Sequence, residues 1–310
     1  MVYKPPFFLF NKHLETIYPS LLRKVNFTFQ QTERITTPDN DWLEVSSSSL
    51  KSDKVVIISH GLEGSSDRPY IRGMAKAFFE KGFDVVAWNY RGCASEMNKQ
   101  LRFYHSGATD DLDVVINHAI QLKYTSINLI GFSLGGNITL KYLGEDRNRS
   151  EILKKAVAIS VPMELKTGCE RLSTPANKIY HDRFLKSLKN KIIAKSKLME
   201  GLDIKGIESI TTLKDFDDRY TAPLHGFRDA YDYYSQCSSV RYVHNIQIPA
   251  LILTALNDPF LSEECYPFDQ VKNHETVVLE TPERGGHVGF AQLNNTGLYW
   301  SEQRALDFIR

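Results

Sequence analysis

Apolar residues follow two rhythms that trade places along the chain. Over residues 26–45 polar and apolar positions alternate around Pro38-Asp39-Asn40-Asp41, which predicts an antiparallel hairpin with a tight turn. Val55-Val56-Ile57-Ile58 is apolar throughout, as a strand covered on both faces must be. Ile71, Ala75, Phe78 and Phe79 then recur at helical spacing, and Gly82 supplies a stop. Residues 83–88 read as another strand. Thr109 or Asp110 stands where a cap belongs, before a helix with Leu112, Val115, Ile116, Ala119 and Leu122 on one face. Ile127-Asn128-Leu129-Ile130 is strand-like, and Ile138, Leu140 and Leu143 fall in a helix after it. Residues 156–161, 250–255 and 276–279 continue the strand series.

Strands alternating with helices predict an α/β fold, a mostly parallel sheet with helices on both faces and the hairpin at one edge. Between Pro162 and Ile248 the strand signal lapses for some eighty residues rich in lysine, tyrosine and aspartate. Loops of that length without structure are rare. The expectation is one domain over 1–310, carrying a helical cap at about 163–245 and one further helix packed on the sheet. Within the cap, Phe184, Leu185, Leu188, Ile192 and Met199 share a helical face, with Arg183, Lys186, Lys189 and Lys197 away from it. Lys191 and Lys195 intrude on the apolar side, where they are expected to snorkel. A basic cap of this kind allows transient membrane contact.

Composition narrows the function classes. The 310 residues carry a formal net charge of +1, so no overall field draws the chain to nucleic acid or to an anionic membrane. Cys93, Cys169, Cys237 and Cys265 form no CxxC pair, which suits a reducing cytoplasm and argues against a disulfide scaffold or a cysteine zinc site. No HExxH, clustered metal ligands or glycine-rich phosphate loop appears, so neither metal nor cofactor is expected. The start, MVYKPPFFLF, is too short an apolar run for a signal peptide, and no stretch approaches bilayer-spanning length.

The chemistry gathers at the ends of the predicted strands. Gly131-Phe132-Ser133-Leu134-Gly135 lies between a strand and a helix, the setting of a nucleophile elbow. Glycines on either side permit the tight turn that holds Ser133 clear of the sheet, and the Leu134 N–H faces the place where an oxyanion would form. A serine needs a base. His287, in Gly285-Gly286-His287-Val288-Gly289 after the last strand, is placed to serve, whereas His274 precedes that strand and lies at the wrong edge. Asp258, in the loop after residues 250–255, is favoured as the acid that orients the imidazole, with Glu164 after the preceding strand as its competitor. A second oxyanion donor is expected in His60-Gly61-Leu62-Glu63-Gly64, from the Leu62 N–H, with His60 itself in a structural role.

With these residues in hand, the chain resembles the YheT-like α/β-hydrolases, bacterial hydrolases and eukaryotic abhydrolase-domain lipid enzymes. The likeness runs nearly end to end, through Asn11-Lys12-His13-Leu14-Glu15-Thr16-Ile17-Tyr18-Pro19, the His60–Gly64 run, Asn89-Tyr90-Arg91-Gly92-Cys93, Tyr104-His105-Ser106-Gly107, the elbow with Gly136-Asn137, Phe216-Asp217-Asp218-Arg219-Tyr220-Thr221-Ala222-Pro223, Tyr233-Tyr234, and the Asp258 and Gly286-His287 loops. It implies the α/β-hydrolase fold, carboxylesterase or lipase-like activity on small-molecule or lipid esters, and a triad of Ser133, Asp258 and His287. The same constellation could cleave thioesters or amides, and a silent binding module on this fold is the rival of another class.

Overall fold

The computed structural model describes residues 3–310. Eight strands form one sheet: β1 (Gln31–Thr36), β2 (Trp42–Ser48), β3 (Lys54–Ser59), β4 (Asp84–Asn89), β5 (Ser126–Phe132), β6 (Leu153–Ile159), β7 (Ala250–Leu253) and β8 (Val277–Glu280). Their order is β1-β2-β4-β3-β5-β6-β7-β8. The first hairpin pairs antiparallel, β2 joins β4 antiparallel, and every pairing beyond β4 is parallel.

The continuous apolar runs explain the layering. Successive side chains of a strand point to opposite faces, so Val55 and Ile57 enter one core while Val56 and Ile58 enter the other. The first core is closed by helices α3 (Thr109–Gln121) and α4 (Leu134–Gly144), the second by α2 (Pro69–Phe79) and the C-terminal helix Trp300–Ile309. A further helix, α1 (Lys12–Leu22), precedes the hairpin and is capped by Asn11, whose side chain accepts from the His13 and Leu14 N–H groups. The hairpin turn is tied down by Arg91, which donates to both oxygens of Asp111 and to Asp39 and Asp41. Three carboxylates around one buried guanidinium fix that corner, because removing Arg91 would leave Asp41 and Asp111 buried without their main cation.

Three details depart from the pattern read in the sequence. Neither Thr109 nor Asp110 caps α3. The cap position is Ala108 without a side-chain bond, and the Thr109 hydroxyl donates to Glu145 instead. After β6 the chain leaves the sheet for α5 (Leu165–Leu172), α6 (Lys178–Ser196), a series of short turns and the helix Ala230–Cys237. No long helix of this insertion covers the sheet. Val243 and Ile246, in and beside single 3-10 turns, reach the core in its place. The insertion has its own apolar cluster, in which Leu185, Ile192, Ile207 and Phe216 meet Phe103 and Phe260.

Lys191 and Lys195 do not snorkel outward. Lys195 is fully buried and donates to Asn98 Oδ1 and to the carbonyls of Gln100 and Arg102, with its Nζ 3.8 Å from the centre of the Phe103 ring. Lys191 forms a 2.5 Å ion pair with Glu63, which also accepts from Ser187 and Tyr104. Both lysines therefore pin α6 down onto the body. Their partners lie about ninety or more residues away in sequence, so no local pattern announces them.

Candidate functional site

Three loops at one edge of the sheet converge. Ser133 sits between β5 and α4 with φ +52° and ψ −120°, a strained conformation for a residue with a side chain. The surrounding glycines are sterically required. A Cβ on Gly131 would stand 2.3 Å from the Gly135 carbonyl oxygen, and one on Gly135 would stand 2.5 Å from the carbonyl oxygens of Ser59 and His60. His287 follows β8 in a loop where Gly286 and Val288 both take positive φ. Its Nε2 lies 3.0 Å from Ser133 Oγ, and its Nδ1 lies 2.8 Å from Asp258 Oδ2. Asp258 follows β7, is buried, and accepts the Phe260 N–H on its other oxygen at 2.9 Å. The Phe260 ring lies over the imidazole at 4.2 Å between centroids.

Glu164, the competing acid, is elsewhere. It caps α5, accepting from the Thr167 N–H and hydroxyl at 2.7 and 2.6 Å. His274 bonds the Val243 carbonyl away from the site. His60 is buried beside the elbow with Nδ1 2.7 Å from the Gly61 carbonyl. Burial pulls its pKa down to about 3, so the ring is neutral, and the carbonyl requires the proton on Nδ1.

The backbone N–H groups around the elbow are unequally occupied. Gly61 donates to the Tyr70 hydroxyl and Glu63 to the Tyr104 hydroxyl, each at 3.0 Å. Between them, the Leu62 N–H has no acceptor among the described residues, and neither has the Leu134 N–H at the first turn of α4. Free donors at a helix N-terminus are suited to developing negative charge.

Sequence reasoning left one part of the site without a role. α1 braces the loops that carry His287 and Asp258. Thr16 Oγ1 accepts the His287 N–H at 3.0 Å. Glu15, fully buried, pairs with Arg284 and accepts from Asn257 and the Gly285 N–H. Asn257 in turn accepts the Gly286 N–H, and Ser160 holds the Val288 N–H. The motif holding Glu15 and Thr16 was visible. Their partners, 242 and 271 residues later for Asn257 and His287, were not.

Ser133 and His287 open onto a cavity of about 870 Å³ between the sheet and the insertion, whose wall includes Leu172, Phe184, Leu188 and Phe216. Among the described residues no His, Cys, Asp or Glu group is arranged to hold a metal, and no helix is long and apolar enough to cross a membrane.

One polar group on the cavity wall has a measurable consequence. Asp217 accepts from Thr221 at 2.6 Å and from Tyr234 at 2.7 Å, and burial pushes its carboxyl up to about 6. An unfolded aspartate titrates near 4. Between those values the folded chain binds more protons than the unfolded one, so stability falls as pH rises, with the cost complete above about 6. Asp217→Asn keeps the shape without the charge. Its melting temperature should exceed that of the parent by roughly 2–4 °C near pH 8, and the gap should close near pH 4. A gap in scanning calorimetry that ignores pH would contradict this account.

The profile of the α/β-hydrolase fold family matches residues 54–189. The protein named "Putative esterase YheT" of Escherichia coli (strain K12) is 31% identical over 96% of this chain and 90% of its own. A monoacylglycerol lipase of Saccharomyces cerevisiae is 30% identical over 83% of this chain and 59% of its own. Among solved structures, the Pyrococcus furiosus esterase Pf2001 aligns with a TM-score of 0.62 at 20% identity, covering 93% of this chain and 96% of that one.

Proposed function

Because this chain belongs to the YheT-like family of α/β-hydrolases, we propose that it hydrolyses carboxylic esters with lipid-like acyl chains through an acyl-enzyme on Ser133. The observation that carries this reading is the unbroken hydrogen-bond chain Ser133–His287–Asp258 on the wall of a large apolar cavity. His287 Nε2 takes the hydroxyl proton as Ser133 Oγ attacks the ester carbon. The Leu62 and Leu134 N–H groups hold the oxyanion, and Asp258 stabilises the imidazolium. The imidazolium then gives its proton to the departing alkoxide. Water, deprotonated by the same ring, attacks the acyl-enzyme and frees the acid and Ser133. A cavity of this size accommodates an acyl chain, and the yeast relative's name points to monoacyl lipid esters as the first class to assay.

A fluorophosphonate probe should label Ser133 and no other residue, read by peptide mass spectrometry. Folded protein that stays unlabelled would return the chain to the silent-module reading. The cap is proposed to set chain-length preference. Leu188 and Ile192 line the cavity, so replacing both with alanine should lower kcat/KM on long-chain p-nitrophenyl esters by roughly tenfold and spare the acetate. Unchanged relative rates in a protein that melts cooperatively would remove the cap from the acyl site.

A further inference from the structure

The cavity opens between two elements that show water more apolar surface than a folded chain ordinarily does. On α1, Leu21 and Leu22 are 66% and 65% exposed, and in the segment leading into it Phe7 and Phe10 are 90% and 72% exposed. On α6, Ile179 is 77% exposed. The two elements adjoin, since His13 of α1 bonds and stacks on Tyr180 of α6. Phe7 packs edge-on to Phe8, and Phe8 to Tyr18, one turn before Leu21 and Leu22. Leu21 and Ile179 are at once exposed and cavity-lining, so the apolar surface runs from the outside into the site.

Charge identifies what could cover it. Residues 3–24 present Lys4, Lys12 and Lys24 as cations unpaired among the described residues, whereas Arg23 is neutralised by Glu302, and their single acid Glu15 is buried and paired with Arg284. On the outer side of α6, Lys178, Arg183, Lys186 and Lys189 stand against one acid, Asp182, whereas Lys191 and Lys195 are turned inward and add nothing to the surface. Arg183 and Lys186 extend the exposed line that begins at Ile179, along the cavity mouth. Yet the chain as a whole carries only +1, so positive charge is concentrated at this rim. Exposed aromatic and leucine side chains within a basic rim match an anionic bilayer surface, in which apolar groups enter the headgroup boundary and lysines meet lipid phosphates.

We propose that the face formed by residues 7–10, α1 and the exposed side of α6 docks on anionic phospholipid bilayers, with the cavity mouth against the lipid. Docking delivers a lipid ester without passage through water. Only this consequence rests on the hydrolase reading; the docking itself does not.

The test uses the full chain and the triple variant Phe7→Ser/Phe10→Ser/Leu22→Ser, whose side chains lie outside the cavity wall. Parent protein should co-sediment with vesicles of phosphatidylcholine mixed with phosphatidylglycerol at low salt. Binding should weaken in high salt and on pure phosphatidylcholine, and the variant should bind about a hundredfold more weakly. Turnover of a water-soluble acetyl ester should be equal in both proteins, which also certifies the variant's fold. The proposal is overturned if parent protein stays in the supernatant at low salt, if the variant binds as the parent does, or if binding ignores lipid charge. It is also overturned if ultracentrifugation shows a dimer that the variant abolishes, because a second copy would then be the occupant. Absence of soluble-ester turnover in the parent would refute the hydrolase reading instead, and sedimentation would still decide the docking.

Discussion

Ser133→Ala is expected to lower kcat on every hydrolysed ester by about a million-fold while leaving the melting temperature within a degree or two of the parent. On the proposed mechanism the loss is large because the Ser133 hydroxyl forms the acyl bond, and among the described residues it is the one hydroxyl bonded to His287. The fold should be spared for a local reason. Alanine keeps the Cβ that already occupies the strained φ of +52°, and the only bond lost is the one to His287 Nε2. Steady-state kinetics on p-nitrophenyl butyrate, with a circular dichroism melt beside them, checks both halves. Residual turnover of a few per cent or more would move the nucleophile elsewhere.

Asp258→Asn should cost roughly ten-thousand-fold in kcat, whereas Glu164→Gln should change it little. The carboxylate divides its oxygens, one accepting the Phe260 N–H and the other facing His287 Nδ1. In the asparagine variant the amide oxygen remains on the Phe260 N–H, which leaves the NH₂ group toward the ring. Nδ1 must then accept, the ring proton moves to Nε2, and the nitrogen facing Ser133 can no longer take a proton. Glutamine at 164 keeps an oxygen for the Thr167 N–H, so the cap on α5 survives. Measuring kcat for both variants separates them, and a larger loss at Glu164 would reverse the assignment of the acid.

The sheet was legible because its central strands carry continuous apolar runs such as Val55-Val56-Ile57-Ile58 and Ala156-Val157-Ala158-Ile159, the pattern of a doubly covered parallel strand. The elbow was legible because its geometry is local: Gly131 and Gly135 lie two residues either side of Ser133, and the strand and helix announce themselves on both flanks. What stayed hidden depends on partners far away in sequence. Lys195 looked like a misplaced charge on an apolar helix face until the loop at 98–102 supplied its oxygens. Thr109 looked like a cap because Thr commonly is one, and Glu145 took its hydroxyl instead. Glu15 and Thr16 form an unremarked pair in a helix of mixed pattern, and only the folded chain sets them beneath Gly285 and His287.

The bracing by α1 also orders events during synthesis. Eleven residues with Pro19 among them make a helix too short to persist alone in water. Its binding partners at Asn257 and His287 are translated 242 and 271 residues after the residues they meet. At ordinary elongation rates of 5–20 residues per second, that is a wait of roughly 10–50 s. Through this interval Phe7, Phe10, Leu21 and Leu22 travel on an undocked segment, the kind of exposed apolar stretch that chaperones hold. The serine loop can form early on its own strands, but its histidine cannot be seated until the first helix and the last loop find each other. On the proposed mechanism the newborn chain is therefore unarmed until the loop that carries His287 has been made and has docked.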